Sequence, residues 1–215
     1  MRPRVKICCM GSVAEMRLAV RYGAAAVGLV SAMPSGPGVI ADELIAEVAA
    51  QVPPGVASFL LTCKTDAEEI IAQQRRLRPN TLQLCDRLER GTHRELRAAL
   101  PDVALVQVIH VQTEASVEEA LSIAPEVDAL LLDSGNQQLV VKELGGTGRT
   151  HDWQLSRRIV EQAGKPVFLA GGLKSENVRA AIAQVGPLGL DVCSGVRTDG
   201  RLDERKLAAL FAQIG

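Results

Sequence analysis

Aromatic side chains are nearly missing from this chain: three Phe, one Trp and one Tyr among 215 residues. Any core must therefore be packed with Leu, Val, Ile and Ala. A charge bias is missing too, because 24 Lys and Arg stand against 25 Asp and Glu for a net charge of −1. No basic block occurs and aromatic residues do not interleave with basic ones, so no nucleic-acid partner is expected. No stretch reaches the ~20 apolar residues that span a bilayer, and the N-terminus lacks the apolar centre of a secretion signal. These absences predict a cytoplasmic protein with no membrane partner. The five cysteines, Cys8, Cys9, Cys63, Cys85 and Cys193, form no CxxC, and the histidines form no HxxxH. No metal site is expected, and an odd thiol count without a secretion signal argues against a disulfide framework.

What is present is a steady alternation of two patterns. Eight apolar or period-2 runs read as strands: Arg4–Cys8, Ala26–Ser31, Ala57–Cys63, Thr81–Cys85, Ala104–Ile109, Asp128–Asp133, Pro166–Ala170 and Gly189–Cys193. Several are almost continuously apolar, as strands covered by helices should be. Between them lie helical patterns at Val13–Tyr22, Asp42–Gln51, Asp66–Leu77, Arg90–Leu100, Ser116–Ile123, Trp153–Ala163, Ser175–Gln184 and Glu204–Gln213. Ser116 and Ser175 offer hydroxyl caps, and prolines punctuate the segments after helices. Eight such units predict an α/β fold, a single-domain (β/α)8 TIM barrel over residues 1–215, although barrels more often run to about 250 residues. No glycine-rich dinucleotide fingerprint follows the first strand, which disfavours an open doubly wound sheet. The longest predicted loop is Ser134–Arg149.

Strand alternation sorts the side chains. Val5 and Ile7 share one face and Lys6 and Cys8 the other; Leu82 and Leu84 oppose Gln83 and Cys85. Leu130 and Leu132 oppose Asp133, and Leu190 and Val192 oppose Asp191 and Cys193. With helices outside, the apolar members point outward and the polar members converge inside, near the C-terminal mouth. Burying Asp133 or Asp191 unpaired costs several kcal/mol, so each needs a partner or a ligand. Two readings stand for Lys6: it pairs with an acid in a structural network, or it serves the site. An isolated Cys8 would be a small buried hydrophobe; its place at a strand end opposite an acid makes it a site residue.

Two glycine loops follow the last strands, Leu169-Ala170-Gly171-Gly172-Leu173 and Cys193-Ser194-Gly195-Val196. Glycine lets backbone N–H groups approach a ligand, and barrels often build phosphate sites from these two loops. Gly145-Gly146-Thr147-Gly148 either adds donors or is only a flexible loop.

These pieces combine with Asp152-Trp153 and with Glu176-Asn177-Val178. In their order and spacing they resemble the phosphoribosylanthranilate isomerase family of tryptophan biosynthesis, through essentially the whole chain. The resemblance implies an Amadori rearrangement without cofactor, turning an aminoaldose phosphate into an aminoketose phosphate. It makes Asp133 the general acid that opens the sugar and Cys8 the general base that removes the C2′ proton. Lys6, Gln83 and Asp191 would meet the substrate, and Gly146, Gly171, Gly172, Ser194 and Gly195 would hold its phosphate. It implies a monomer or homodimer whose partner is a small phosphosugar.

The chain departs from the family at four places. Cys9 replaces the glycine after the catalytic cysteine, Cys85 a histidine and Arg197 a glutamate. Gly38 stands where the family carries the arginine that binds the anthranilate carboxylate, a loss of about 1.5–3 kcal/mol. Arg149 and Arg197, on predicted mouth loops, are the candidate replacements. Two alternatives therefore accompany the isomerase: a barrel isomerase or aldolase on another sugar phosphate, with Lys6 forming a Schiff base, and a phosphometabolite-binding barrel without turnover.

Overall fold

The computed structural model describes residues 2–135, 141–144 and 148–214. Eight strands pair in parallel and in chain order. They are β1 Arg4–Ile7, β2 Ala26–Val30, β3 Ala57–Thr62, β4 Thr81–Leu84, β5 Ala104–His110, β6 Ala129–Asp133, β7 Val167–Leu169 and β8 Gly189–Val192. β8 returns to β1, with Lys6 directly opposite Asp191, and closes the barrel. Each strand is followed by a helix: α1 Val13–Arg21, α2 Asp42–Gln51, α3 Ala67–Leu77, α4 His93–Ala99, α5 Glu114–Ile123, α6 Trp153–Gln162, α7 Val178–Val185 and α8 Glu204–Ile214. The expected (β/α)8 barrel is therefore the observed one. Among the described residues no helix is long and apolar enough to cross a membrane.

Alternation along the strands divides the apolar residues into two clusters. Val5, Ile7, Leu82, Leu84, Leu130, Leu132, Leu190 and Val192 pack outward against the helices. Inside the barrel lie Ala26, Val30, Phe59, Leu61, Val106, Val108 and Leu131, with Cys8 and Cys85 toward the mouth. Phe59 and Phe168 meet edge to face, 5.9 Å apart, so two of the few aromatics fill the barrel centre.

Three helices start later or earlier than their composition suggests, each for a capping reason. Thr92 and Glu95 form a reciprocal capping box, which starts α4 at His93 rather than Arg90. Ser116 is not the cap of α5: its hydroxyl donates to the His110 carbonyl and accepts from Gln112 N–H, and Thr113 precedes the first turn instead. Asn177 binds Lys174 N–H and the Gly172 carbonyl, both at 2.9 Å, holding a turn that delays α7 to Val178. The connection to α8 holds an unexpected hairpin, β9 Arg197–Thr198 with β10 Arg201–Leu202.

Candidate functional site

A cavity of about 650 Å³ opens at the C-terminal ends of the strands. Cys8, Gln83, Asp133, Asp191, Gly171, Gly172 and Ser194 all line it. Residues read from five separate stretches of sequence thus share one pocket.

On one wall, Lys6 is fully buried and its Nζ donates to Asp191 Oδ2 at 2.9 Å and to Cys8 Sγ at 3.6 Å. The structural pairing anticipated for Lys6 is present, and it lies behind the cavity wall rather than on it. Burial alone would strip its charge, but Asp191 and Cys8 overcome that and keep it an ammonium. The neighbouring thiol of Cys9, its hydrogen-bond partner, and the Lys6 charge together lower the Cys8 pKa against the opposing effect of burial. Gly28 makes this packing possible: a Cβ there would stand 2.7 Å from Cys8 Sγ and 3.2 Å from Lys6 Cε. Sequence reading passed over Gly28, although a glycine inside a buried strand signals a close approach.

Asp133 lines the same cavity, and burial raises its pKa, in spite of Ser134 N–H donating to Oδ1 at 2.7 Å. Nearby Asp191 pushes in the same direction and His110, its partner in register on β5, in the other. Asp191 and Gln83 also line the cavity, and among the described residues Asp191 Oδ1 and Gln83 Oε1 are buried acceptors without a hydrogen-bond partner. Such atoms are costly unless something binds them.

The two glycine loops after β7 and β8 pack against each other. Gly171 and Gly172 have φ of 82° and 60°, and the β6–α6 loop crosses them so closely that a Cβ on Gly172 would lie 2.8 Å from Gly148 O. Gly195 is not a lining residue, but a Cβ there would meet Leu173 O at 2.0 Å, so it locks the two loops against each other. Gly146 lies outside the described residues. His151, behind Gly171, is held neutral, its pKa pulled down to about 4 by burial. Leu144, unforeseen, closes the cavity from the loop after β6, which Ser35 and Asp86 fasten through Lys142.

A family model for N-(5'phosphoribosyl)anthranilate (PRA) isomerase matches residues 5–213. The chain belongs to that family. It is 36% identical to the N-(5'-phosphoribosyl)anthranilate isomerase of Halorubrum lacusprofundi, covering 99% of this chain and 96% of the relative. Among solved structures it resembles a phosphoribosyl anthranilate isomerase in complex with reduced 1-(o-carboxyphenylamino)-1-deoxyribulose 5-phosphate. There the TM-score is 0.79 at 26% identity, over 99% of this chain and 98% of that one. It also resembles monomers made from the dimeric enzyme of Thermotoga maritima, with TM-score 0.79, 25% identity and the same coverage.

Within this family the departures at Cys9 and Gly38 are one event in space. A Cβ on Gly38 would come within 2.4 Å of Cys9 Cβ and 2.9 Å of its Cα, so a side chain at 38 and the Cys9 side chain exclude each other. Cys9 itself has φ 65°, a left-handed conformation costing a non-glycine residue roughly 1–2 kcal/mol. Neither candidate replacement arginine reaches the cavity wall: Arg197 is buried against Glu15 and Arg149 pairs with Glu143. Among the described residues no cation lines the cavity. Cys85, in the histidine position, is a buried neutral thiol.

Cys9→Gly is accordingly expected to keep turnover and to gain stability from relief of the strained turn. The limb of its pH–rate profile that reports Cys8 should move upward, because the Cys9 hydrogen bond to Cys8 is gone. Adding Gly38→Ala should cost the wild type about 1–3 kcal/mol by overpacking, and the Cys9→Gly background less. Thermal unfolding and initial rates check both; a collapse of turnover on Cys9→Gly alone would identify Cys9, not Cys8, as the essential thiol.

Proposed function

We propose that the chain catalyses the Amadori rearrangement of phosphoribosylanthranilate to carboxyphenylamino-deoxyribulose phosphate, as its family does, with Asp133 as general acid and Cys8 as general base. The observation that carries this reading is electrostatic. One cavity holds a carboxyl pushed toward its protonated form and a thiol pushed toward thiolate. That is the pair of protonation states the reaction needs.

Asp133 gives its proton to the furanose ring oxygen as the C1′–O bond breaks, and the nitrogen lone pair forms a C=N bond. Cys8 thiolate then removes the C2′ proton; the C2′–H bonding pair forms a C1′=C2′ bond as the C=N pair returns to nitrogen, giving an enolamine that tautomerises to the ketone. Asp191 Oδ1 and Gln83 Oε1 are suited to accept hydrogen bonds from sugar hydroxyls. Gly171, Gly172 and Ser194, with Gly195 behind them, offer the phosphate backbone and hydroxyl donors rather than a charged side chain. Lys6 acts through the thiol. A Schiff-base role is disfavoured, because a fully buried ammonium tied to Asp191 is a poor nucleophile.

Five free thiols, one of them the base, suit a reducing, cytoplasmic setting. A monomer or homodimer is the assembly we propose. The decisive test is the fluorescence of phosphoribosylanthranilate mixed with the pure protein. Steady consumption is expected; binding without consumption would replace the isomerase with a phosphometabolite-binding role.

A further inference from the structure

The turn that carries Cys8 is held from outside the cavity. Cys8 N–H still belongs to the barrel, donating to Val192 O at 2.9 Å, and Met10 N–H returns to Gly28 O at 3.0 Å. Between those two bonds the carbonyls of Cys8 and Cys9 leave the strand ladder, and Cys9 turns into the left-handed region. Both carbonyls are taken by one group. Arg197 Nη2 donates to Cys8 O at 3.1 Å and also to Cys9 O.

The guanidinium is itself fixed. Glu15, on the first turn of α1, pairs with it at 3.1 Å, and Gly200 O accepts from Nη1 at 2.9 Å. The Glu15 carboxylate is tied in turn by Gly11 N–H at 3.0 Å and Leu202 N–H at 2.9 Å. Arg197 is only 8% exposed and does not line the cavity. It opens strand β9, one residue after the Ser194–Val196 turn.

We propose that Arg197, braced by Glu15, is a positioning residue that sets the orientation of the Cys8 thiol through its peptide carbonyls and ties that thiol to the loop carrying Ser194. The proposal rests on Cys8 being the base, but the geometry it predicts can be read without catalysis. A largely buried guanidinium–carboxylate pair spanning two mouth loops fixes distance and direction together, as a bidentate planar group can and a lysine cannot. Without it, the left-handed turn at Cys9 has no polar anchor, and the thiol loses its fixed relation to Lys6, Cys9 and Asp191, the groups that set its charge.

The test uses the full chain with Arg197→Met, Arg197→Lys and Glu15→Gln. Cys8 carboxamidomethylation by iodoacetamide is followed against pH by tandem mass spectrometry, and kcat and KM for phosphoribosylanthranilate are measured beside it. The expected result for Arg197→Met is a Cys8 alkylation midpoint displaced upward, kcat at least tenfold lower and KM changed less than threefold. Arg197→Lys and Glu15→Gln should fall between it and wild type, and they carry the test if Arg197→Met does not fold. An unmoved alkylation profile in folded variants overturns the proposal, whatever happens to kcat. A displaced profile with wild-type kcat keeps the positioning role and removes Cys8 as the base.

Discussion

Cys8→Ala should abolish almost all turnover, by roughly 10²–10⁴-fold in kcat as expected for loss of a general base, with little change in KM. The fold should survive. The thiol packs against Gly28 inside the barrel mouth, so its removal opens a gap of one atom at a cost of about 1 kcal/mol. Cys8→Ser is the sharper variant, because it keeps the shape and hydrogen-bonding capacity while replacing a thiol with a hydroxyl that does not ionise near neutrality. It should be as inactive as Cys8→Ala. On the acid side kcat/KM rises with pH as the thiolate fraction grows, and the lowered Cys8 pKa makes that thiolate available at lower pH. Initial rates across pH, with circular dichroism as the control for folding, decide the matter. Full activity in either variant would mean that another group takes the C2′ proton.

Legibility differed along the chain for physical reasons. The barrel was plain in the sequence because apolar strand runs and amphipathic helical patterns take turns along the chain, so local patterns and global topology agree. Cys8, Asp133, Gln83 and Asp191 were legible by the same alternation, since a polar residue on the inner face of a covered strand has nowhere else to point. Lys6 was legible only in part. Periodicity placed it inside the barrel, but whether it met Asp191 or the ligand depended on the β1–β8 register, which no local pattern encodes. The helix starts at His93, Glu114 and Val178 turned on which hydroxyl or amide was spent elsewhere. Ser116 and Asn177 bind backbone groups that lie outside their helices. The link between Cys9 and Gly38 was hidden because the two residues sit 29 positions apart, and no local pattern couples them. That Arg197 turns away from the cavity was hidden for a related reason. Its partner Glu15 belongs to the other end of the chain, and a closed barrel brings the first and last units together.

Asp133→Asn should lower kcat by a similar factor, roughly 10²–10⁴, while leaving the protein at least as stable at neutral pH. Asparagine keeps an oxygen for Ser134 N–H but has no proton to give to the sugar. In the wild type the folded-state pKa of Asp133 is raised, so the native protein binds this proton more tightly than the unfolded chain does. That contribution to stability is complete below the ordinary carboxylate pKa and is lost as pH rises through the folded value. At neutral pH a buried carboxylate near Asp191 is therefore a liability, and the neutral amide removes it. The same raised pKa explains why the site tolerates that liability. The productive form needs acid and thiolate together, and when the acid's pKa lies below the thiol's, its population grows tenfold for each unit by which the two values approach. Burial moves Asp133 up while Cys9 and Lys6 move Cys8 down, so both displacements enlarge the same population. Asp133→Asn should accordingly erase the alkaline limb of the pH–rate profile along with the activity. A variant that stays active with that limb intact would place the acid on another residue.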